Sequence, residues 1–175
     1  MLSQKMLTLL NEQVGHEFES ANLYLQMSAW CASKGLEGSA SFLRAHSGEE
    51  MAHMFRLFDY LLETGNLAVI PAMGKPRHEY KGIGDVFAAT LSHEQFITGK
   101  INALVDGALT EKDYATFQFL QWYVSEQHEE EALFSRVCDL VRLVGTDGRG
   151  LFLLDKQIGK MDKDTTAPSA DAGGE

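Results

Sequence analysis

The sequence predicts an all-α protein: a four-helix bundle with one long crossover between the second and third helices, and a short fifth helix at the end. Three observations carry this. Apolar residues recur at helical spacing almost throughout the chain. Only three prolines occur in 175 residues. The breaks between the periodic stretches run short, long, short, and a long middle connection lets the second and third helices lie parallel.

Ser3 is the N-cap of a first helix that runs to about Lys34, where Gly35 stops it. A second helix covers about Leu36 to Glu63 and ends at Thr64-Gly65-Asn66. The connection between these two is so short that they must be antiparallel neighbours. The stretch NLAVIPAMGKPRHEYKG, with Pro71, Gly74, Pro76 and Gly82, has the composition of a loop and is too long for a tight turn. A third helix runs from about Ile83 to Leu109, the turn TEKD follows, and a fourth helix runs from about Tyr114 to Val144. Gly145 to Gly150 break the chain, and LFLLDKQIGK makes the short fifth helix. One domain thus spans 1–161, and the apolar-poor tail 162–175 reads as disordered.

A hydrophobic fraction of 45% with 23% charged residues belongs to a globular protein with a sizeable core. No apolar run is long enough to span a membrane, and the polar-interrupted N-terminus does not read as a signal peptide, which places the protein in the cytoplasm. The net charge of −10, with no basic patch, argues against nucleic acid and anionic membranes as partners and suits a protein that gathers cations. Cys31 and Cys138 have no metal-binding spacing and read as reduced thiols on or near helix surfaces.

The informative residues are carboxylates on apolar stripes. At roughly 100° per residue, Met6, Leu10, Val14, Ala21, Tyr24 and Leu25 line one face of the first helix, and Glu17 lies at its centre. In the second helix Leu43, Met54, Leu57, Phe58 and Leu61 surround Glu50, with His53 one turn along and Glu49 nearer the edge. In the third, Ile83, Phe87, Leu91, Ile97, Ile101 and Val105 flank Glu94. In the fourth, Phe119, Trp122, Tyr123, Leu133 and Val137 put Glu126 and Glu130 at mid-face, Gln127 and Glu129 towards opposite edges, and His128 and Glu131 outward. One such glutamate could be a boundary residue; one on every helix, near mid-length, is harder to dismiss. A buried unpaired carboxylate costs several kcal/mol, and no lysine or arginine lies on the stripes. A divalent metal pair is the economical partner, with protonated carboxyls as the fallback. Glu50 and His53, at i and i+3, converge on one ion. Oxygen-rich ligation with one imidazole suits iron, manganese or zinc. An oxygen-accessible site beside Tyr24 favours redox-active iron, with zinc as an inhibitor.

These residues resemble the non-haem bacterial ferritin family. The resemblance runs from NEQVGHEFESANLYLQMSAW through FLRAHSGEEMAHMFRLFDYLLETGNL and HEQFITGKIN to FLQWYVSEQHEEE, nearly the whole chain. It implies a ferritin-like fold and an iron-storing ferroxidase that oxidises Fe2+ with O2 or H2O2. One iron would be held by Glu17, Glu50 and His53, and a second by Glu50, Glu94 and Glu130, with Glu50 bridging and Gln127 as a hydrogen-bonding neighbour. Glu49, Glu126 and Glu129, with Glu130, match the family's third iron site, and Tyr24 matches its tyrosine beside the diiron centre. The resemblance also implies a homo-oligomeric cage of twenty-four subunits. Bacterioferritins carry a second Glu-x-x-His on the fourth helix; here Glu130 stands where that His would be, so no haem is expected and Met51, at the haem-ligand position, reads as packing. Phe117 and Leu120 stand where animal H-type ferritins have acidic three-fold pore residues. A bacterioferritin-like haem protein and a rubrerythrin-type diiron peroxidase are the alternatives; the latter would want a Cys-x-x-Cys, which is absent. A DNA-protecting mini-ferritin would want a basic tail. His46, His93 and His16 read as packing or neighbouring residues rather than ligands.

Overall fold

A computed structural model describes residues 2–145 and 147–165. The helices are α1 (Gln4–Ser33), α2 (Glu37–Glu63), α3 (Ile83–Thr110), α4 (Tyr114–Val144) and α5 (Gly148–Thr165). Local chemistry sets their ends. Ser3 Oγ accepts the Met6 N–H at 3.1 Å and starts α1. Asp113 accepts from the Thr116 N–H at 3.1 Å and from its hydroxyl at 2.6 Å, and starts α4. Gly35, Gly65 and Gly145 close α1, α2 and α4 with φ near +75°, a conformation that costs other residues a Cβ clash.

The crossover is pinned along α1. The Val69 N–H donates to Asn11 Oδ1 at 2.6 Å, Pro71 packs over Gly15 where a Cβ would lie 2.7 Å from its ring, and Tyr80 meets Trp30 edge-on at 5.6 Å. The chain therefore travels from the N-terminal part of α1 to its C-terminal end. Since α2 also begins at that end, α2 and α3 run parallel, as the connection lengths predict.

The interior is two apolar clusters separated by a polar layer. One end holds Met6, Leu10, Val14, Leu57, Leu61, Ile101 and Leu120. The other holds Tyr24, Met27, Phe42, Phe87, Phe134 and Val137, with Leu154 and Ile158 of α5. Between them each long helix presents polar side chains: Glu17, then Glu50 and His53, then Glu94, then Gln127 and Glu130.

Three expectations need correction. Leu25 is half-exposed rather than on the core stripe, and Cys31 is fully buried rather than near the surface. The α1 stripe turns by about one position, so that Met27 and Cys31 follow Tyr24 inward. The fifth helix is longer than 151–160, because Asp147 Oδ1 accepts the Gly150 N–H at 2.8 Å and turns a glycine-rich break into a helix start. Past Thr165 the tail lies outside the described residues. Among the described residues, no helix is long and apolar enough to cross a membrane.

Candidate metal centre

The polar layer is drier than a solvated helix face: Glu17, Glu50, Glu94 and Glu130 are exposed by 1%, 3%, 0% and 6%. One ligand atom each from Glu17, Glu50 and His53 lies within 4.8 Å of the others. His53 Nδ1 stands 3.5 Å from Glu50 Oε2, the close approach that i, i+3 spacing provides. Gln13 donates to Glu17 Oε1 at 2.9 Å, which leaves Glu17 Oε2 buried with no partner.

Glu94 faces this group from α3 with both oxygens engaged. The Tyr24 hydroxyl donates to Oε1, and Gln127 Nε2 donates to Oε2 at 2.9 Å. Glu130 sits apart from the Glu17 group and leans towards α2, where it forms a second cluster with His46 and Glu49. His46 Nδ1 is 2.8 Å from Glu49 and 3.7 Å from Glu130 Oε1, while Glu130 Oε2 has no partner. Glu126 Oε1 approaches His53 Nε2 at 3.7 Å. Glu126 and Glu129, with His46, Glu49, Glu130 and Arg136, line an open cavity of about 450 Å³.

Two positions on α4 differ from the helical-wheel expectation. Gln127 is buried rather than at an edge, and Glu126 is partly exposed rather than central. The face that packs is Leu120, Tyr123, Gln127, Glu130, Phe134 and Val137, turned from the stripe that the outer apolar residues suggest. His46, expected as a packing or neighbouring residue, packs against Phe42 and Phe134 and also bonds Glu49 and approaches Glu130. Its spacing of three from Glu49 is the signal in the sequence, because that interval shares a helix face.

The electrostatics follow from crowding like charges in a dry layer. Burial, then the neighbouring charges of Glu94 and Glu17, hold Glu50 well above the usual carboxylate range. Burial also raises Glu17 against the hydrogen bond from Gln13. Burial and the Glu130 charge push Glu94 up to about 7. Burial lowers His53, which keeps its imidazole neutral and able to ligate. Burial opposes charge on His46, but hydrogen bonds with Glu130 and Glu49 outweigh it and push it up to about 10. Burial and the Glu94 charge hold Tyr24 protonated, well above its ordinary value. Among the described residues, no lysine or arginine pairs with these carboxylates. The two orphaned buried oxygens therefore fit a cation supplied from outside.

The model of the ferritin-like domain matches residues 7–144. The chain belongs to the ferritin-like domain family. The match takes in all four glutamate-bearing helices and stops at the end of α4. The chain is 56% identical to a probable bacterial non-heme ferritin-like protein of Haemophilus influenzae, over 92% of this chain and 98% of that one. It is 52% identical to a bacterial non-heme ferritin of Escherichia coli, over 93% and 98%. The open pore ferritin of the archaeon Archaeoglobus fulgidus superposes with a TM-score of 0.89 at 39% identity, covering 91% of this chain and 98% of that one. Against this ferritin fold the polar layer stands at mid-bundle, enclosed by apolar residues on both sides.

Proposed function

We propose that the protein is an iron-storage ferritin subunit whose polar layer is a ferroxidase centre. The observation that carries this is the pair of buried carboxylate oxygens without partners, Glu17 Oε2 and Glu130 Oε2, in a layer where, among the described residues, no lysine or arginine pairs with the carboxylates and His46 reaches only the other oxygen of Glu130. Glu17, Glu50 and His53 would hold one Fe2+. Glu50, Glu94 and Glu130 would hold the second, with Glu50 shared and Glu130 swinging in from His46. Glu49, Glu126 and Glu129 are assigned to a third iron position, which the 450 Å³ cavity connects to solvent. Tyr24, whose hydroxyl donates to Glu94, is assigned as the tyrosine beside the diiron centre.

Iron is the substrate. Two Fe2+ give up one electron each to O2, which leaves as H2O2 after taking two protons; with H2O2 as oxidant the same two electrons yield water. The glutamates favour this because the extra positive charge of Fe3+ interacts more strongly with anionic oxygens, above all in a low-dielectric layer. Protons held by Glu17, Glu50 and Glu94 in the metal-free protein leave as iron enters. Ferric product then hydrolyses and is stored inside a homo-oligomeric cage of twenty-four subunits in the cytoplasm. The acidic chain, net −10, suits cation uptake rather than nucleic-acid or membrane binding.

The test is anaerobic loading with Fe2+, mixing with O2, and ferric absorbance against time, with light scattering to size the particle. Glu50→Ala and Glu94→Ala should each bring the reaction down towards the buffer rate, a larger loss than the roughly 10–100-fold that removal of an outer partner costs. Oxidation at the buffer rate in the parent, or variants equal to it, removes the ferroxidase reading. A monomer or dimer removes storage.

A further inference from the structure

Glu131 ends the acidic run of α4 and takes no part in the metal centre described above, yet it is engaged. Thr98 on α3 donates its hydroxyl hydrogen to Glu131 Oε1 at 2.5 Å. Thr98 Oγ1 in turn lies 3.4 Å from Gln127 Nε2, the atom that donates to Glu94 Oε2 at 2.9 Å. The string runs from a buried carboxylate to a cleft of about 160 Å³ between α3 and α4, lined by Thr98, Gln127, His128 and Glu131.

The string has a direction. A threonine hydroxyl carries one hydrogen. Once that hydrogen is given to Glu131, Oγ1 can only accept. Gln127 is then faced by acceptors: Thr98 Oγ1, Glu94 Oε2 and the Glu94 carbonyl, the last at 3.3 Å. Only the NH2 side of the carboxamide satisfies them. A flipped amide would set its oxygen against the Glu94 carboxylate in a layer where both residues are buried, and unpaired buried acceptors are costly. Without Glu131, the Thr98 hydrogen is free to turn towards Gln127, and Nε2 loses that acceptor, so the carboxamide is held by Glu94 alone.

We propose that Thr98 and Glu131 are positioning residues of the metal centre: they lock the Gln127 carboxamide with its NH2 on Glu94, and so hold Glu94 in the pose from which it ligates. This rests on the reading of Glu94 as a metal ligand. Outer hydrogen-bonding partners of this kind change metal affinity by roughly 10–100-fold when removed. A mere strap between α3 and α4 would change stability and leave affinity alone.

The test uses the assembled, metal-free protein, titrated anaerobically with Co2+ and followed by d–d absorption and calorimetry. The parent should show two tight sites in each subunit. Thr98→Val should weaken one of them about tenfold and leave the other unchanged. Thr98→Ser, which keeps the hydroxyl, should restore it. Glu131→Leu, which leaves Thr98 in place, should weaken the same site. Parent affinity at both sites in Thr98→Val or Glu131→Leu, even with a lowered melting temperature, overturns the proposal. Where Thr98→Val does not fold, Glu131→Leu and Thr98→Ser decide it. Fewer than two Co2+ sites in the parent overturns the metal centre itself, a result distinct from unchanged affinity in the variants.

Discussion

Glu94→Gln should make the metal-free protein more stable, and by an amount that depends on pH. Glu94 is fully buried, and its carboxyl is raised from 4.5 to about 7 by burial and then by Glu130. A carboxyl raised in the folded state contributes its stability below its unfolded value, near 4.5, and loses it as pH rises through about 7. At about 1.4 kcal/mol for each tenfold change in proton affinity, that rise is worth about 3 kcal/mol. Burial lowers His16, His53 and His93, the last to about 4. Their effect runs the other way, since the unfolded chain takes up their protons first. The absolute curve therefore mixes both, and the difference between parent and Glu94→Gln cancels the histidines and leaves Glu94 with its coupling to Glu50. That difference should be close to constant below pH 4.5 and grow by about 3 kcal/mol by pH 8. Urea unfolding of the two metal-free proteins at half-unit steps of pH measures it. Adding Zn2+ at pH 8 should favour the parent, because the ion replaces the proton that Glu94 has lost. A difference that does not vary with pH, or one that shrinks towards pH 8, would refute the reasoning.

Asp155 on α5 accepts from the Gly38 N–H at 2.9 Å, the Ser39 N–H at 2.7 Å and the Ser39 hydroxyl at 2.8 Å, so it caps α2 from across the bundle. Asp155→Ala should cost about 1–2 kcal/mol and speed amide exchange in α5 more than in α1, as hydrogen-exchange mass spectrometry would report. Gly159 lies so close to α2 that a Cβ would stand 2.8 Å from Gly38 Cα. Glycine-to-alanine there should lose roughly 1–3 kcal/mol to that overlap, more than the alanine gains in helix propensity; a stabilised protein in urea would count against the crossing. Phe134 is fully buried against Tyr24, Phe42 and His46. Phe134→Ala should cost about 3–5 kcal/mol in urea unfolding.

The parts of the fold legible in the sequence are those that neighbours in the chain decide. Ser3 as a cap, the turn TEKD before α4, and Gly35, Gly65 and Gly145 as stops act on their own backbone, so the ends of α1 and α4 and the end of α2 could be read directly. Glu17, Glu50 and Glu94 were legible as core-facing because apolar residues at helical spacing bracket each of them on both sides along its helix. The run from Glu126 to Glu131 was harder. With so many polar residues in succession, the wheel is anchored only by distant aromatics, and Trp122 and Phe119 mark the edge of the packed face rather than its centre. Which way α4 turns is settled by α3, through Gln127 on Glu94 and Thr98 on Glu131, and no local pattern contains that. The position of Glu130 is likewise set by a partner on another helix, His46. Leu25 and Cys31 exchange their expected places for the same kind of reason: how wide a stripe is buried depends on what lies across from it.

Why a bundle would tolerate four buried carboxylates is answered by where they lie. Each apolar cluster draws on all four long helices, and the polar layer interrupts both at the same height. The helices are therefore fixed on either side of the layer, and the glutamates cannot relieve their repulsion by moving apart. Protons relieve part of it in the metal-free protein, which is why Glu17, Glu50 and Glu94 are all raised. A divalent ion relieves more, since it satisfies several oxygens at once. An ion at a hundred times its dissociation constant adds about 2.7 kcal/mol to stability, comparable with the loss from ionising Glu94. The strain that weakens the empty bundle is thus the same free energy that draws metal in, and loosening either apolar cluster should lower metal affinity without touching a ligand.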